Sequence, residues 1–444
     1  MYILSIDFGT SSVKIAVLNK NIDIITSITK EYQYEVIDND LVEINLDLVL
    51  KRLGEGLKEL DNKYLKNIDI IVFDVFSPSL VTLDKNGDCL YPCILHLDRR
   101  SREQSRKIIN VFGKKNYQNK TGVLPFAGGV SITSLLWIKE NLPEVYKNTY
   151  KFGHLNTFIY KKLTDKWAID PVNASMMGLY ETIKWGGWSE DICREFDISM
   201  NKLPQIINAG TNKAGLVKRT AYELGLQEGT PVVFGSNDAA TAILGAGLEE
   251  EGDILNIAGS NEIATILTEK PIVNDSYYLR NSLYENKWQM FSINIGGLAI
   301  EWIRQIAFND FKKDYFYNEY LTELVNKYTE YKLKKFTVEF KPYLAGDRHS
   351  LKVKRGRFNG MTLDTSREDL LMAILLGINE PIINNLNAAA KHLKLNNQII
   401  ITGGLADSSY INIKKKIIKD FNFKFKKRCT TIGNGKLAFW ALNN

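Results

Sequence analysis

The sequence predicts an α/β fold in two domains, and three observations point there. At 444 residues the chain is too long for one compact core. A strand–turn–strand unit with a glycine in its turn opens the chain and recurs near residue 254. A third glycine turn, set between a strand and a helix, follows at Gly403-Gly404.

The elements justify this reading in order. Residues 2–6 form an apolar run that reads as a buried strand, and residues 13–18 resume strand character. Between them, Asp7-Phe8-Gly9-Thr10-Ser11-Ser12 is short enough only for a hairpin. Such a turn aims backbone N–H groups and hydroxyls into one concavity, which suits a phosphate. Further strands are expected over 68–74 and 232–234, and helices over 46–60 and 131–140. The recurrence over 253–267 matches the opening with one residue deleted in the turn. It sets Gly259 against Gly9, Ser260 against Thr10 and Ala258 against Asp7. After a strand over 398–402, Gly403-Gly404 lets a ligand ring approach the backbone closely, ahead of a helix starting near Ser409.

Composition excludes several classes. The net charge of +6 is small for this length, and the lysine runs are broken by apolar residues. A nucleic-acid protein would concentrate them on one stripe. No apolar stretch approaches the roughly 20 residues a membrane helix requires, and no basic leader precedes the first strand. Cys89, Cys93, Cys193 and Cys429 lack metal-site spacing. The expectation is a soluble, reduced, cytoplasmic protein that takes a small molecule, with no nucleic-acid or membrane partner and with a homodimer allowed.

These motifs, in this order, resemble the FGGY family of carbohydrate kinases, in its xylulokinase-like branch. The scaffold is that of actin, hexokinase and the heat-shock ATPases. Asp7 through Lys14 fits the first phosphate motif, while Asp84–Gly87 and Asp98-Arg99-Arg100-Ser101 fit segments bordering the sugar site. Asn173-Ala174-Ser175 fits the family's Asn-Ala-Ser, and Gly235-Ser236-Asn237-Asp238 fits the motif holding the catalytic aspartate. Gly259-Ser260 fits the second phosphate motif. Gly296-Gly297 with Trp302 fits the helix behind the nucleotide, and Gly403-Gly404 the adenosine motif. Residues 342–348 and 356–363 resemble the family's C-terminal signature.

The resemblance implies two actin-like (ribonuclease H-like) domains, 1–247 and 248–444, with ATP in the cleft between them. It implies magnesium at Asp7 and phosphate contacts from Gly9, Thr10, Ser11, Ser12 and Lys14. Gly259, Ser260, Gly297, Gly403, Gly404 and Ser408 would complete the nucleotide site. Phosphoryl transfer is mainly positioning and electrostatic stabilisation, so a lysine at position 14 suits charge developing on the γ-phosphate. Asp238 would take the proton of the attacking hydroxyl, although a carboxylate at a helix start also serves as an N-cap. Ser77, Ser79 and Asp98 are the expected substrate contacts beside Asp238.

Pentulose kinases of the family carry Gln-Met-His-Gly where this chain has Phe76-Ser77-Pro78-Ser79, and glycerol kinases carry an Arg-Glu pair there. The expected substrate is therefore a ketose or sugar alcohol that meets small hydroxyls and an aromatic face. Kinases of glycerol or other polyols, and an actin-like regulatory ATPase, are the competing readings. His96, His154, His349 and His392 stand apart in sequence and read as structural or surface residues. Trp185 and Trp188 read as loop anchors more readily than as a sugar platform.

Overall fold

The computed structural model describes residues 1–38, 40–211, 213–329, 332–333, 335–344, 346 and 350–443. The chain divides into two compact units. The first comprises residues 1–247, 279–288 and 429–444, and the second residues 248–278 and 289–428.

In the first unit, the apolar run at the N-terminus becomes the strand Ile3–Phe8, buried throughout. It pairs antiparallel with Ser12–Leu18 and parallel with Ile70–Val75. Ile24–Glu31 extends one edge, and Pro231–Val233 and Lys213–Gly215 the other. A five-stranded sheet, in the order Glu35–Ile37, Leu41–Ile44, Cys89–Leu95, Ser79–Leu83, Lys151–Gly153, adds a second layer. The helix expected over 46–60 runs Leu46–Lys58, with Val49, Leu53 and Leu57 buried on the core face and Asn45 as N-cap.

The second unit repeats the first strand order. Ile254–Ala258 pairs antiparallel with Asn261–Thr268 and parallel with Gln398–Thr402, which in turn pairs parallel with Asn422–Phe425. The turns close alike: Gly9 N donates to Ser12 O at 2.9 Å and Gly259 N to Asn261 O at 3.0 Å. The register corrects the sequence alignment by one residue. The pairs flanking the turns are Phe8–Val13 and Ala258–Glu262, so Asp7 lies level with Ile257, not Ala258. The deletion falls after the glycine.

The C-terminal helix Cys429–Asn443 groups with the first unit, although a division at 247 assigns it to the second domain. Its small residues explain this. A Cβ at Gly433 would lie 2.0 Å from Thr241 O, and one at Gly245 would lie 1.8 Å from Cys429 O, so the helices Asp238–Ala246 and Cys429–Asn443 meet backbone to backbone. Asn434 also donates to Ser5 Oγ at 3.0 Å and to Asp74. Among the described residues, no helix is long and apolar enough to cross a membrane.

Candidate active site

Register places a carboxylate cluster at one end of the first sheet. Asp7 lies opposite Lys14 on one side and Asp74 on the other. Lys14 Nζ donates to Asp7 Oδ2 at 3.1 Å, and attraction to Asp7 holds the ammonium above its ordinary range. The intervening turn is braced from the third strand's end: Tyr32 N donates to Ser11 O at 3.0 Å and Tyr32 OH donates to Gly9 O. Ser11 is exposed, and Gly9, Thr10 and Ser12 are half-buried.

Asp238 begins the helix Asp238–Ala246. The strand before it enters a turn that only glycine fits, since a Cβ at Gly235 would lie 1.5 Å from Phe73 O. Capping falls to Asn237, whose Oδ1 accepts from Ala239 N at 3.1 Å and Ala240 N at 3.4 Å. The cap role weighed for Asp238 is thus filled by its neighbour. Asp238 keeps one bond of its own, from Ala239 N to Oδ1 at 2.7 Å, and stays partly exposed. Burial, and then the charge of Asp7, raise its pKa to about 6.

Two members of this cluster escaped the sequence reading. Asp74 is wholly buried, and desolvation with the neighbouring Asp7 and Asp238 raises its pKa well above the ordinary carboxylate range. Its signal was present: one carboxylate ends an otherwise apolar strand, as Asp7 does. Arg280, on the strand Tyr278–Asn281, is 1% exposed. Burial lowers its pKa to about 10, while Asp238 and Asp170 pull it back up. Nothing in the local sequence announces this arginine.

The segment Phe76–Ser79 splits into unlike parts. Phe76 is 2% exposed and packs T-shaped against His96, with ring centroids 6.4 Å apart, so it offers no open aromatic face. Pro78 is buried. Ser79 is fully buried, donating to Phe76 O at 3.2 Å and accepting from Leu155 N at 3.0 Å. Ser77 alone is partly exposed. His154, expected to stand apart, lies within hydrogen-bonding distance of it, at 3.3 Å from Nδ1 to Oγ.

Asp98 is also committed to the fold. It is fully buried, accepting from Val42 N at 2.7 Å and Arg100 Nε at 2.8 Å, and Arg100 continues to Glu43 at 2.6 Å. The substrate contacts expected of Ser79 and Asp98 are therefore withdrawn, because their polar atoms are bonded inside the protein. The tryptophans act as loop anchors: Trp188 Nε1 donates to Pro204 O at 2.9 Å, and Trp185 packs edge-on against Trp288.

In the second unit the turns at Gly259-Ser260, Gly296-Gly297 and Gly403-Gly404 meet around Ala258. Gly297 N donates to Gly259 O at 2.9 Å, Gly296 N to Ser260 O at 3.0 Å, and Leu405 N to Ala258 O at 3.0 Å. Gly403 has a φ of 111°, and a Cβ there would lie 2.2 Å from Ala258 O. Gly404 faces open space. The helix Ser408–Ile417 starts with Ser408 exposed and Asp407 as its cap. Beneath these turns lies a buried ion pair that the sequence did not reveal. Glu262 and Lys414 meet at 2.8 Å with both side chains 0% exposed, and Tyr410 OH also donates to Glu262 at 2.6 Å. Of the C-terminal signature, Ala345, Asp347 and Arg348 lie outside the described residues, as does His349.

The sequence and the fold have relatives among known proteins. The N-terminal domain of the FGGY family of carbohydrate kinases matches residues 2–245. A xylulose kinase of Staphylococcus xylosus is 25% identical over 423 residues, covering 94% of this chain and 86% of its own. A gluconokinase of Bacillus subtilis is 24% identical over 397 residues, covering 85% and 74%. The ligand-bound xylulose kinase of Lactobacillus acidophilus superposes with a TM-score of 0.86 at 20% identity, over 100% of this chain and 89% of that one. The chain belongs to the FGGY family of carbohydrate kinases. It is a phosphotransferase of the two-domain, actin-like fold, using ATP to phosphorylate a hydroxyl of a small sugar or polyol.

Proposed function

We propose that Asp238 is the general base of this kinase, that Asp7 and Lys14 receive the γ-phosphate end of ATP, and that Ser77 contacts the carbohydrate. The observation that carries the reading is the state of Asp238. It is relieved of capping by Asn237, partly exposed, and raised to about 6 beside Asp7. A base with a pKa near the working pH both exists in the ionised form and holds a proton well, and typically contributes about 10²–10⁴-fold.

Around it the charges divide the labour. Lys14 is bonded to Asp7 and 55% exposed at its side chain, so it can turn to an incoming phosphate. The turn Gly9–Ser12 offers backbone N–H groups and hydroxyls to the same oxygens. The glycine turns at Gly259-Ser260, Gly297 and Gly403-Gly404, with Ser408, supply the remaining nucleotide contacts. Gly404, where a Cβ would meet nothing within 4 Å, leaves room for a ring.

Magnesium fits here. It takes one or two carboxylates and keeps several waters. Asp7 lies level with Asp74 in the sheet, and after burial the charge of Asp7 raises the pKa of both Asp74 and Asp238, as crowded carboxylates do even with Lys14 bonded to Asp7. The described residues hold no cluster of three or more metal-ligating side chains, so phosphate oxygens and water would complete the shell. Bound there, magnesium supplies positive charge to the transferred phosphoryl group.

Asp238→Asn keeps the shape and removes the base. kcat should fall by two or more decades with ATP affinity and fold retained. Normal turnover on the best substrate of a ketose, alditol and aldonate panel would remove Asp238 from this role.

A further inference from the structure

His154 is fully buried, and its ring joins three polar groups of the first unit. Nδ1 lies 3.2 Å from Asn173 Oδ1 and 3.3 Å from Ser77 Oγ, while Nε2 lies 2.8 Å from Ser131 Oγ. The tautomer follows from the far end of the network. Asp170 is an acceptor, held between Asn156 Nδ2 at 2.9 Å and Asn173 Nδ2 at 2.7 Å on one oxygen, and Ser236 Oγ at 2.6 Å on the other. Asn173 must turn its amino group to Asp170, so its carbonyl oxygen faces the ring. Only an N–H at Nδ1 satisfies that oxygen. Nε2 is then bare and accepts from Ser131. Burial lowers the His154 pKa to about 4, so the neutral ring persists at ordinary pH.

One consequence reaches the substrate. The Nδ1–H is shared with Ser77 Oγ, which therefore accepts on its buried side, and the serine's own hydrogen is left for its partly exposed side. We propose that His154 is a positioning residue that fixes Ser77 as a hydrogen-bond donor to an oxygen of the bound carbohydrate. The inference rests on the reading of Ser77 as a substrate contact. The same chain of bonds, Ser77–His154–Asn173–Asp170–Ser236, ends two residues before Asp238. The donor and the turn that carries the base are thereby held on one buried framework. A substrate position with a bare oxygen acceptor, such as a carbonyl or carboxylate, suits this donor best, because it makes no competing donation.

The test uses the full chain and the fastest-turned-over member of a panel of C3–C6 ketoses, alditols and aldonates. Ser77→Ala and His154→Gln should each raise the sugar KM about tenfold, the worth of one hydrogen bond, with kcat within threefold. The double variant should be no worse than Ser77→Ala. His154→Asn, whose amide nitrogen takes the place of Nδ1, should stay near wild type. Side-chain ¹⁵N spectra should show a protonated Nδ1 and a bare Nε2, a readout that stands even if His154→Gln does not fold. A proton on Nε2, or a His154→Gln penalty that persists unchanged on the Ser77→Ala background, overturns the inference while leaving the contact standing. A wild-type KM in Ser77→Ala removes the contact itself, and the inference with it.

Discussion

Replacing Asp238 with Asn should make the protein more stable above pH 6 while it loses activity. The native carboxylate titrates at about 6 against an ordinary 3.8, chiefly because burial and the neighbouring Asp7 disfavour its charge. A folded pKa above the unfolded one means that the charged group strains the native state. Its contribution to stability is fully present below 3.8 and is lost as pH rises through about 6. At 1.36 kcal/mol per pH unit, removing the charge at pH 8 returns about 3 kcal/mol.

Two effects reduce that figure. Asp238 is partly exposed, so solvent screens its interactions, and the buried Arg280 loses one of its two carboxylate neighbours, keeping Asp170. A net gain of about 1–2 kcal/mol, or about 2–8 °C in Tm, is expected at pH 8. The assay is paired thermal unfolding of wild type and Asp238→Asn from pH 8 to pH 4. The gain should shrink through pH 6 and vanish near pH 4. In the wild type, kcat/KM should fall tenfold per pH unit below about 6, as the base protonates. An Asn variant equal to or less stable than wild type at pH 8 would refute the argument that burial and Asp7 strain this carboxylate.

Other expectations follow from the same geometry. Asp7→Asn should lower kcat at least a hundredfold in steady-state assays, whereas Ile257→Val, at the matching position of the second hairpin, should leave kcat within threefold; equal sensitivity would refute the division of labour between the hairpins. Lys414→Met strands the buried Glu262 charge and should cost about 3–5 kcal/mol in urea unfolding. Glu262→Gln added to it should recover at least half, since no buried charge then remains. D-xylulose and glycerol should be poor substrates, because only Ser77 of the segment Phe76–Ser79 presents a polar atom; a kcat/KM for either within tenfold of the best panel member would show that other residues supply the grip.

Local chemistry determined what could be read directly. An apolar run that stops at Asp7 and resumes after two serines can only be a hairpin, and the recurrence at Gly259 carries the same constraint. Glycines 235, 297 and 403 mark turns in the sequence, whereas the backbone a Cβ would strike there, at Phe73, Gly259 and Ala258, lies far along the chain. The strand ending at Thr402 is legible because it depends on a few consecutive residues.

Tertiary structure decided the rest, because burial and charge are sums over neighbours far apart in the chain. Asp98 and Ser79 look available in sequence, yet Val42, Arg100 and Leu155 consume their polar atoms. His154 looks solitary, yet it is joined to Ser77, Ser131 and Asn173. The pKa of Asp238 is set by burial and by Asp7, and is opposed by Arg280, which arrives on a different strand. The last helix belongs to the first unit because its glycines and Asn434 fit that sheet and the Asp238 helix, a fit that no stretch of either segment encodes alone.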